Sequence, residues 1–163
     1  MKAVVQRVAR ASVDVNGRDV ASIGAGLLIL VGIEAGDGEG DVAWMADKVT
    51  NLRIFEDSAG KMNLSVKDAR PTGSHGAILL VPNFTVAGDA RKGRRPSFDT
   101  AMRPEEAEPV FARLAAAVRA LGVEVGTGVF RAHMAVTLVN DGPVTILLES
   151  RAAATAHRES RGV

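Results

Sequence analysis

Residues 139–145 read VNDGPVT, and the interpretation of the whole chain starts from this stretch. One apolar run, Met134 to Val139, precedes it, and a second, Val144 to Leu148, follows it. Two strand-like runs joined by Asp-Gly predict a tight hairpin turn. Pro143 fixes φ and removes a backbone donor, whereas the glycine before it allows another backbone to approach closely. Spacing alone leaves two interpretations open: a plain proline-containing turn, or a rigid Gly142-Pro143 tip that is presented to another group.

The composition is that of a soluble globular domain. The chain has 163 residues, of which 47% are hydrophobic and 24% charged, and this length suits one domain with a core of ordinary size. The absence of cysteine excludes disulfides and thiolate zinc sites. The N-terminal apolar run is broken by Gln6 and Arg7, which predicts neither a signal peptide nor a membrane span. We therefore expect a cytoplasmic protein without a membrane partner.

The pattern of apolar residues predicts strands near both ends and two helices between them. Asn16-Gly17 is a strong hairpin signal. Asp41 is the predicted N-cap of a helix that runs to Leu52, and a second helix is predicted over Pro104–Leu121. The predicted strands are 4–8, 12–15, 20–23, 27–33, a short one at 53–55, 77–81, 123–125 and the two runs around residues 142–143. The fold class expected is α/β (α+β): a single domain, 1–150, of largely antiparallel sheets with two main helices, followed by a flexible tail, 151–163.

Several kinds of catalytic machinery are missing from the sequence. No Gly-x-Ser-x-Gly motif occurs, and His75, His133 and His157 lack the spacing of metal ligands. We expect neither a metal nor an organic cofactor. Thr85 and Thr145 are possible nucleophiles, but neither has an identifiable base beside it. An enzyme of this kind would depend on positioning and on oxyanion donors more than on a strong acid or base.

A basic segment is the one marked departure from an even charge distribution. Net charge is +1, yet Arg91, Lys92, Arg94 and Arg95 fall within five residues. A run this short is either a solvated loop or a loop that contacts a few phosphates. The sequence does not choose between these alternatives.

Several stretches together resemble the D-aminoacyl-tRNA deacylase family. They are QRV and ASV within residues 6–13, GKMNL at 60–64, RKGRRPSF at 91–98, and NDGPVT at 140–145. The last is the most specific, because it matches the family's Asn-x-Gly-Pro-x-Thr motif, and the likeness runs in the same order from Met1 to about Glu149. There is one departure: Pro82-Asn83-Phe84-Thr85 stands where the family has Ser-Gln-Phe-Thr.

The resemblance implies a homodimer with active sites at the subunit interface, where each Gly-Pro tip, with a cis peptide, enters the partner's pocket. The substrate implied is the 3′ end of D-aminoacyl-tRNA, cleaved without a cofactor, and DNA is not an expected partner. A filter that only excludes an L side chain must also admit glycyl-tRNA. The implied catalytic pocket is Asn83, Phe84 and Thr85. The implied substrate-binding and chiral-filter positions are Arg7, Phe130, Met134, Asn140, Gly142, Pro143 and Thr145, and the implied tRNA phosphate contacts are Arg91, Lys92, Arg94 and Arg95.

Two alternatives to this expectation remain open. The change to Pro82-Asn83 motivates a relaxed filter that also admits small L-aminoacyl-tRNAs. The other alternative is a tRNA-binding homologue without turnover, in which the basic segment serves binding alone.

Overall fold

The computed structural model describes residues 1–68 and 76–150. The helices are α1 Glu39–Asn51 and α2 Pro104–Ala120, and a short 3₁₀ helix spans Phe84–Ala87. The strands are β1 Lys2–Val15, β2 Arg18–Ile23, β3 Gly26–Gly32, β4 Phe55–Glu56, β5 Met62–Leu64, β6 Ala77–Pro82, β7 Glu124–Thr127 and β8 Ala135–Glu149. The expected tail, 151–163, lies outside the described residues, as do His75 and His157.

Strand β1 organises the main sheet, whose order is β2-β1-β3-β6-β7 with β8 also paired to β1. Its pairings with β2, β3 and β8 are all antiparallel, whereas β3-β6 and β6-β7 are parallel. The hairpin predicted at Asn16-Gly17 is confirmed, with both residues at positive φ, 54° and 77°. The mixed, largely antiparallel fold class is therefore confirmed.

The helices cover one face of this sheet with the apolar stripes that the sequence predicts. In α1 the buried stripe is Val42, Met45, Ala46 and Val49, and in α2 it includes Val110, Phe111, Leu114 and Val118. Leu121 is an exception, since it is 42% exposed beyond the end of α2. Neither α1 nor α2 has the length and hydropathy needed to cross a bilayer, and residues 1–68 and 76–150 contain no other helix that does.

The predicted start of α1 is wrong by three residues. Gly38 is the N-cap, and Asp41 lies in the first turn, where its Oδ2 accepts the Gly38 N–H at 3.0 Å. A carboxylate reaching back to the N-cap satisfies an otherwise unpaired backbone donor and complements the positive end of the helix. The sequence signal was an acidic residue near the helix start. Such a residue suits both the N-cap and the first turn, so the signal did not distinguish between these two positions.

The hairpin expected at residues 139–145 does not form. Both runs around Gly142-Pro143 pair with β1 in the same direction and belong to the single strand β8. Between the pairs Val8↔Asn140 and Gln6↔Thr145, β1 advances two residues while β8 advances five. The surplus residues form a bulge that projects from a continuous strand, as bulges at sheet edges do. The tip interpretation of the sequence is the one that matches this geometry.

Candidate active site

A cavity of about 440 Å³ opens where β3 and β6 end. The crevice beyond the carboxyl ends of parallel strands is the usual ligand position in such sheets, and this volume is within the range of small-molecule sites. The cavity is lined mainly by apolar side chains. The lining residues are Val31, Ile33, Pro82, Asn83, Phe84, Phe98, Ala101, Met102, Arg103, Pro104, Ala107, Phe130, Arg131, Ala132 and Met134.

Asn83 forms the polar part of the wall where β6 ends. It is the N-cap of the 3₁₀ helix, and its Oδ1 accepts the Thr85 N–H at 3.1 Å and the Thr85 hydroxyl at 2.5 Å. Thr85 is exposed and does not line the cavity itself. Its hydroxyl proton is directed at an amide oxygen, which cannot serve as a general base. This geometry does not activate Thr85 as a nucleophile.

Aromatic rings shape two sides of the cavity. Phe84 is 61% exposed and meets Phe98 edge to face with ring centroids 5.1 Å apart, and Phe130 contacts Phe111 of α2 at 6.2 Å. Such flat apolar surfaces suit a planar ring system. Phe98 was missed as a pocket residue by sequence reasoning, although the stretch at 91–98 contains it, because nothing local marks the fold-back that brings it to Phe84.

The Gly142-Pro143 tip is solvent-exposed, and its peptide bond is cis. Asn140 braces the base of the bulge: its Oδ1 accepts the Val144 N–H at 2.8 Å, and its Nδ2 donates to the Val144 carbonyl at 3.1 Å. Thr145 follows, and its hydroxyl accepts from Nε2 of Gln6 at 3.2 Å. The side-chain amide of Asn140 thus replaces the ladder hydrogen bonds that the bulge interrupts.

Arg7 supports the tip from beneath. It is 5% exposed, its Nε donates to the Asp141 carbonyl at 2.9 Å, and its Nη1 donates to the Ile54 carbonyl at 2.7 Å. The carboxylates of Asp141 and Glu56 lie at 3.4 and 3.9 Å from the guanidinium. A planar fork with fixed donor directions can hold two carbonyls at once. Arg7 therefore links the residue before Gly142 to the segment that leads into β4.

The predicted site residues fall into separate groups in one chain. Asn83, Phe84, Phe130 and Met134 line the cavity. Arg7, Asn140, Gly142, Pro143 and Thr145 surround the bulge, and none of them lines the cavity of the same chain. The predicted pocket and the predicted chiral filter are therefore not brought together within one protomer.

The basic segment projects from the loop between the 3₁₀ helix and α2. Arg91 is already paired, since its Nη2 lies 2.6 Å from Oδ2 of Asp89. The Arg91 side chain and backbone N–H both hydrogen-bond the Asp89 carboxylate, and these bonds hold the pKa of that carboxyl well below its ordinary value. Lys92, Arg94 and Arg95 are exposed. Among the described residues, no group of three or more histidine or carboxylate side chains is placed to hold a metal ion.

Comparison with known proteins identifies the family. The sequence profile described as D-Tyr-tRNA(Tyr) deacylase matches residues 4–149. The chain belongs to the D-Tyr-tRNA(Tyr) deacylase family. A curated relative of this deacylase-family chain, the D-aminoacyl-tRNA deacylase of Geobacter sulfurreducens, is 51% identical over 96% of the chain and 99% of its own length. The protein of that name from Myxococcus xanthus is 55% identical over 92% of the chain and 95% of its own length.

Two solved structures share the fold. A protein described as c-Myc DNA unwinding element binding protein superimposes with a TM-score of 0.83 at 41% identity, covering 91% of the deacylase-family chain and 98% of its own. A probable eukaryotic D-amino acid tRNA deacylase superimposes with a TM-score of 0.72 at 16% identity, covering 90% and 97%. At that identity the second structure supports the fold alone. The family predicted from the sequence is confirmed.

Proposed function

We propose that this protein is an editing hydrolase that cleaves the ester of D-aminoacyl-tRNA, with water, to a free D-amino acid and tRNA. Aminoacyl-tRNA is used in the cytoplasm, which is where the enzyme would act. The observation that carries the proposal is the Gly142-Pro143 tip: it is exposed, braced from beneath, and outside the cavity of its own chain. In the proposed enzyme, this tip would enter the cavity of a second copy of the chain.

A homodimer follows from the proposal, with two sites that each combine one chain's cavity and the other chain's tip. Two-fold symmetry makes such an exchange reciprocal. The edge of β8 gives further support, since this 15-residue strand pairs only with β1 among the described strands. Leu147 on β8 is 77% exposed. A long open edge that carries an exposed leucine is otherwise a site for unwanted association, and a partner subunit would cover it.

The proposed chemistry relies on position. No carboxylate or histidine lines the cavity within the described residues, and the Thr85 hydroxyl donates to an amide oxygen. An aminoacyl ester is intrinsically reactive, and the vicinal 2′-hydroxyl of the substrate lies next to its carbonyl. A held water and backbone N–H donors for the developing oxyanion would therefore be sufficient machinery. Chirality would be sorted by the tip carbonyls holding the α-amino group and leaving no room for an L side chain.

A mixed-dimer experiment tests the exchange of tips directly. Gly142→Ala disables the tip and Ala132→Trp fills the cavity, so each homodimer should be inactive. Random mixing of the two chains should restore about a quarter of the wild-type sites, because one site of each heterodimer combines an intact tip with an intact cavity. If the mixture stayed inactive while native mass spectrometry showed heterodimers, the tip would not act across the interface.

The substrate range is tested with D-Tyr-, L-Tyr-, Gly- and L-Ala-tRNA in parallel. Exclusion of a side chain predicts cleavage of D-Tyr- and Gly-tRNA and survival of L-Tyr-tRNA. Intact Gly-tRNA would show that exclusion is not the filter. Because a solved relative is described as a DNA-element binding protein, duplex DNA is the competitor in a binding control, and we expect tRNA to be preferred.

A second candidate, a relaxed filter, is favoured by one observation. The Oδ1 of Asn83 already accepts two hydrogen bonds from Thr85 as the cap of the 3₁₀ helix. Pro82, in the same stretch, has no backbone donor. The wall of the cavity therefore differs from that of a Ser-Gln sequence. Cleavage of L-Ala-tRNA at a rate close to that of D-Tyr-tRNA would select this candidate, and the variant Pro82→Ser/Asn83→Gln would then recover discrimination.

A further inference from the structure

Among the described residues, the charge around the cavity is of one sign. Of the fifteen described residues that line it, Arg103 and Arg131 are the only ones with charged side chains. Both residues are exposed, so their guanidinium groups belong to the rim rather than the floor. An apolar cavity with cations at its mouth suits a ligand with a flat, uncharged body and an anionic end.

Neither arginine is engaged within the described part of the chain. No carboxylate there lies within ion-pair distance of either guanidinium, whereas Arg91 and Arg113 each have one such partner and Arg7 has two. The absence of a partner is notable for Arg103, because two glutamates follow it in the first turn of α2. As far as residues 1–68 and 76–150 are concerned, the donors of both side chains thus remain available to a ligand.

The backbone at Arg131 supports a specific role for that side chain. Its φ is +62°, in the left-handed region, which only a few per cent of non-glycine residues adopt. Glycine or asparagine would fit this conformation with less strain. An arginine in such a conformation, beside Phe130 in the cavity wall, is consistent with a function of its charge.

We infer that Arg103 and Arg131 bind the phosphodiester on the 5′ side of the substrate's terminal adenosine. The inference rests on the proposed function and deepens it. That phosphate is present whatever amino acid is attached, and it is joined to the nucleoside that the cavity would hold. Guanidinium groups bind phosphate with paired, charge-assisted hydrogen bonds. The pair would fix how far the nucleoside enters the cavity, and hence where its ester lies relative to Asn83.

This assignment gives the rim arginines and the basic loop different phosphates to bind. Lys92, Arg94 and Arg95 do not line the cavity, so contacts that they make would involve phosphates farther along the tRNA. The rim arginines should act on a ligand as small as a single nucleotide, and the loop should not.

The test uses two non-hydrolysable ligands: adenosine carrying D-tyrosine in amide linkage at its 3′ position, and its 5′-monophosphate. The wild-type protein should bind the phosphorylated ligand at least about tenfold more tightly. Arg103→Gln and Arg131→Asn should each reduce that preference, and the double variant should abolish it while its affinity for the unphosphorylated ligand stays the same. Asparagine is chosen at 131 because it tolerates positive φ.

Arg113→Ala is the matched control, because Arg113 lies on α2, is paired with Glu39 and does not line the cavity. It should keep the full preference for the phosphate. Equal binding of the two ligands by the wild type would overturn the phosphate assignment and leave the proposed function standing, as would an unchanged preference in the double variant. Binding of neither ligand would overturn the proposed function and the assignment together.

Discussion

Arg7 and Asp141 meet beneath the Gly142-Pro143 tip, where Nε of the buried arginine donates to the carbonyl oxygen of Asp141 at 2.9 Å. The same guanidinium reaches the Ile54 carbonyl at 2.7 Å. A side chain of β1 therefore holds the tip in place, in addition to the hydrogen bonds that Asn140 makes within the bulge.

Replacing Arg7 with lysine should impair the enzyme. A lysine ammonium cannot reproduce the two directed hydrogen bonds to separate carbonyls, and an unsatisfied buried group costs about 1–3 kcal/mol. We expect kcat/KM on D-Tyr-tRNA to fall about tenfold to a hundredfold. Arg10→Lys is the control, because Arg10 is an exposed residue of the same strand. Wild-type activity of the Arg7→Lys variant would show that the tip keeps its orientation without the arginine.

Gly142→Ala should disable the tip through the protein's own backbone. Gly142 has φ +142°, and a Cβ there would lie 2.7 Å from Val144 Cγ2 and 2.8 Å from the Val144 nitrogen. The methyl group would thus be directed at the strand and, at 3.4 Å, at Nη2 of Arg7. We expect a loss of D-Tyr-tRNA deacylation of about a hundredfold or more.

Gly24→Ala is the matched control for that substitution. A Cβ at Gly24 meets nothing within 4 Å, and its φ is not in the left-handed region. Deacylation and thermal stability should stay close to the wild type. Equal tolerance of alanine at positions 24 and 142 would contradict the structural argument.

Thr85→Ala should retain most of the activity. The substitution removes one hydrogen bond to Asn83, worth about 1 kcal/mol, so single-turnover cleavage should slow less than about tenfold. Thr137→Ala, at an exposed position of β8, controls for loss of a hydroxyl elsewhere. A loss of about a thousandfold, roughly 4 kcal/mol of barrier, would identify Thr85 as a nucleophile.

Asn83→Gln should change activity modestly. The longer side chain cannot place its oxygen as well over the Thr85 N–H, and the loss of an N-cap costs about 1 kcal/mol. We expect kcat to fall less than about tenfold. The measurement is deacylation of D- and L-Tyr-tRNA in parallel, which also gives the ratio of the two rates. A reduction above about a hundredfold would show that the amide itself takes part in catalysis.

The basic loop should determine the salt dependence of tRNA binding. Alanine at Lys92, Arg94 and Arg95 together should lower the slope of log K against log salt by up to about 2, given about 0.7 for each single-strand phosphate contact. Arg91→Ala should have a smaller effect, because Asp89 already holds Arg91. Arg113→Ala should leave the slope unchanged. An unchanged slope in the triple variant would exclude the loop from the interface.

The pairing of Asp89 with Arg91 also predicts how tRNA affinity depends on pH. Because the pKa of Asp89 is lowered by hydrogen bonds from Arg91, the pair is fully formed above the ordinary carboxylate pKa of about 4. It weakens only as the pH falls through the lower, folded-state value. Titration of this pair should therefore leave tRNA affinity unchanged between pH 6 and 8, which filter-binding measurements at constant ionic strength can check.

The sequence by itself determined the fold class, the Asn16-Gly17 hairpin, the buried stripes of α1 and α2, and the family. These features depend on local periodicity, on residues that tolerate positive φ, and on a collinear set of motifs, all of which are readable along the chain. The sequence also supplied the cavity residues Asn83, Phe84, Phe130 and Met134, but only through the resemblance.

Only the tertiary structure decided how residues 139–145 are used. A proline-containing turn and a bulge within one strand have the same local sequence, and the choice between them is made by β1, which pairs with β8 on both sides of Gly142-Pro143. The same holds for the rim arginines and for Phe98, which enter the cavity through contacts between distant segments. Such contacts depend on the path of the chain, which no local pattern encodes.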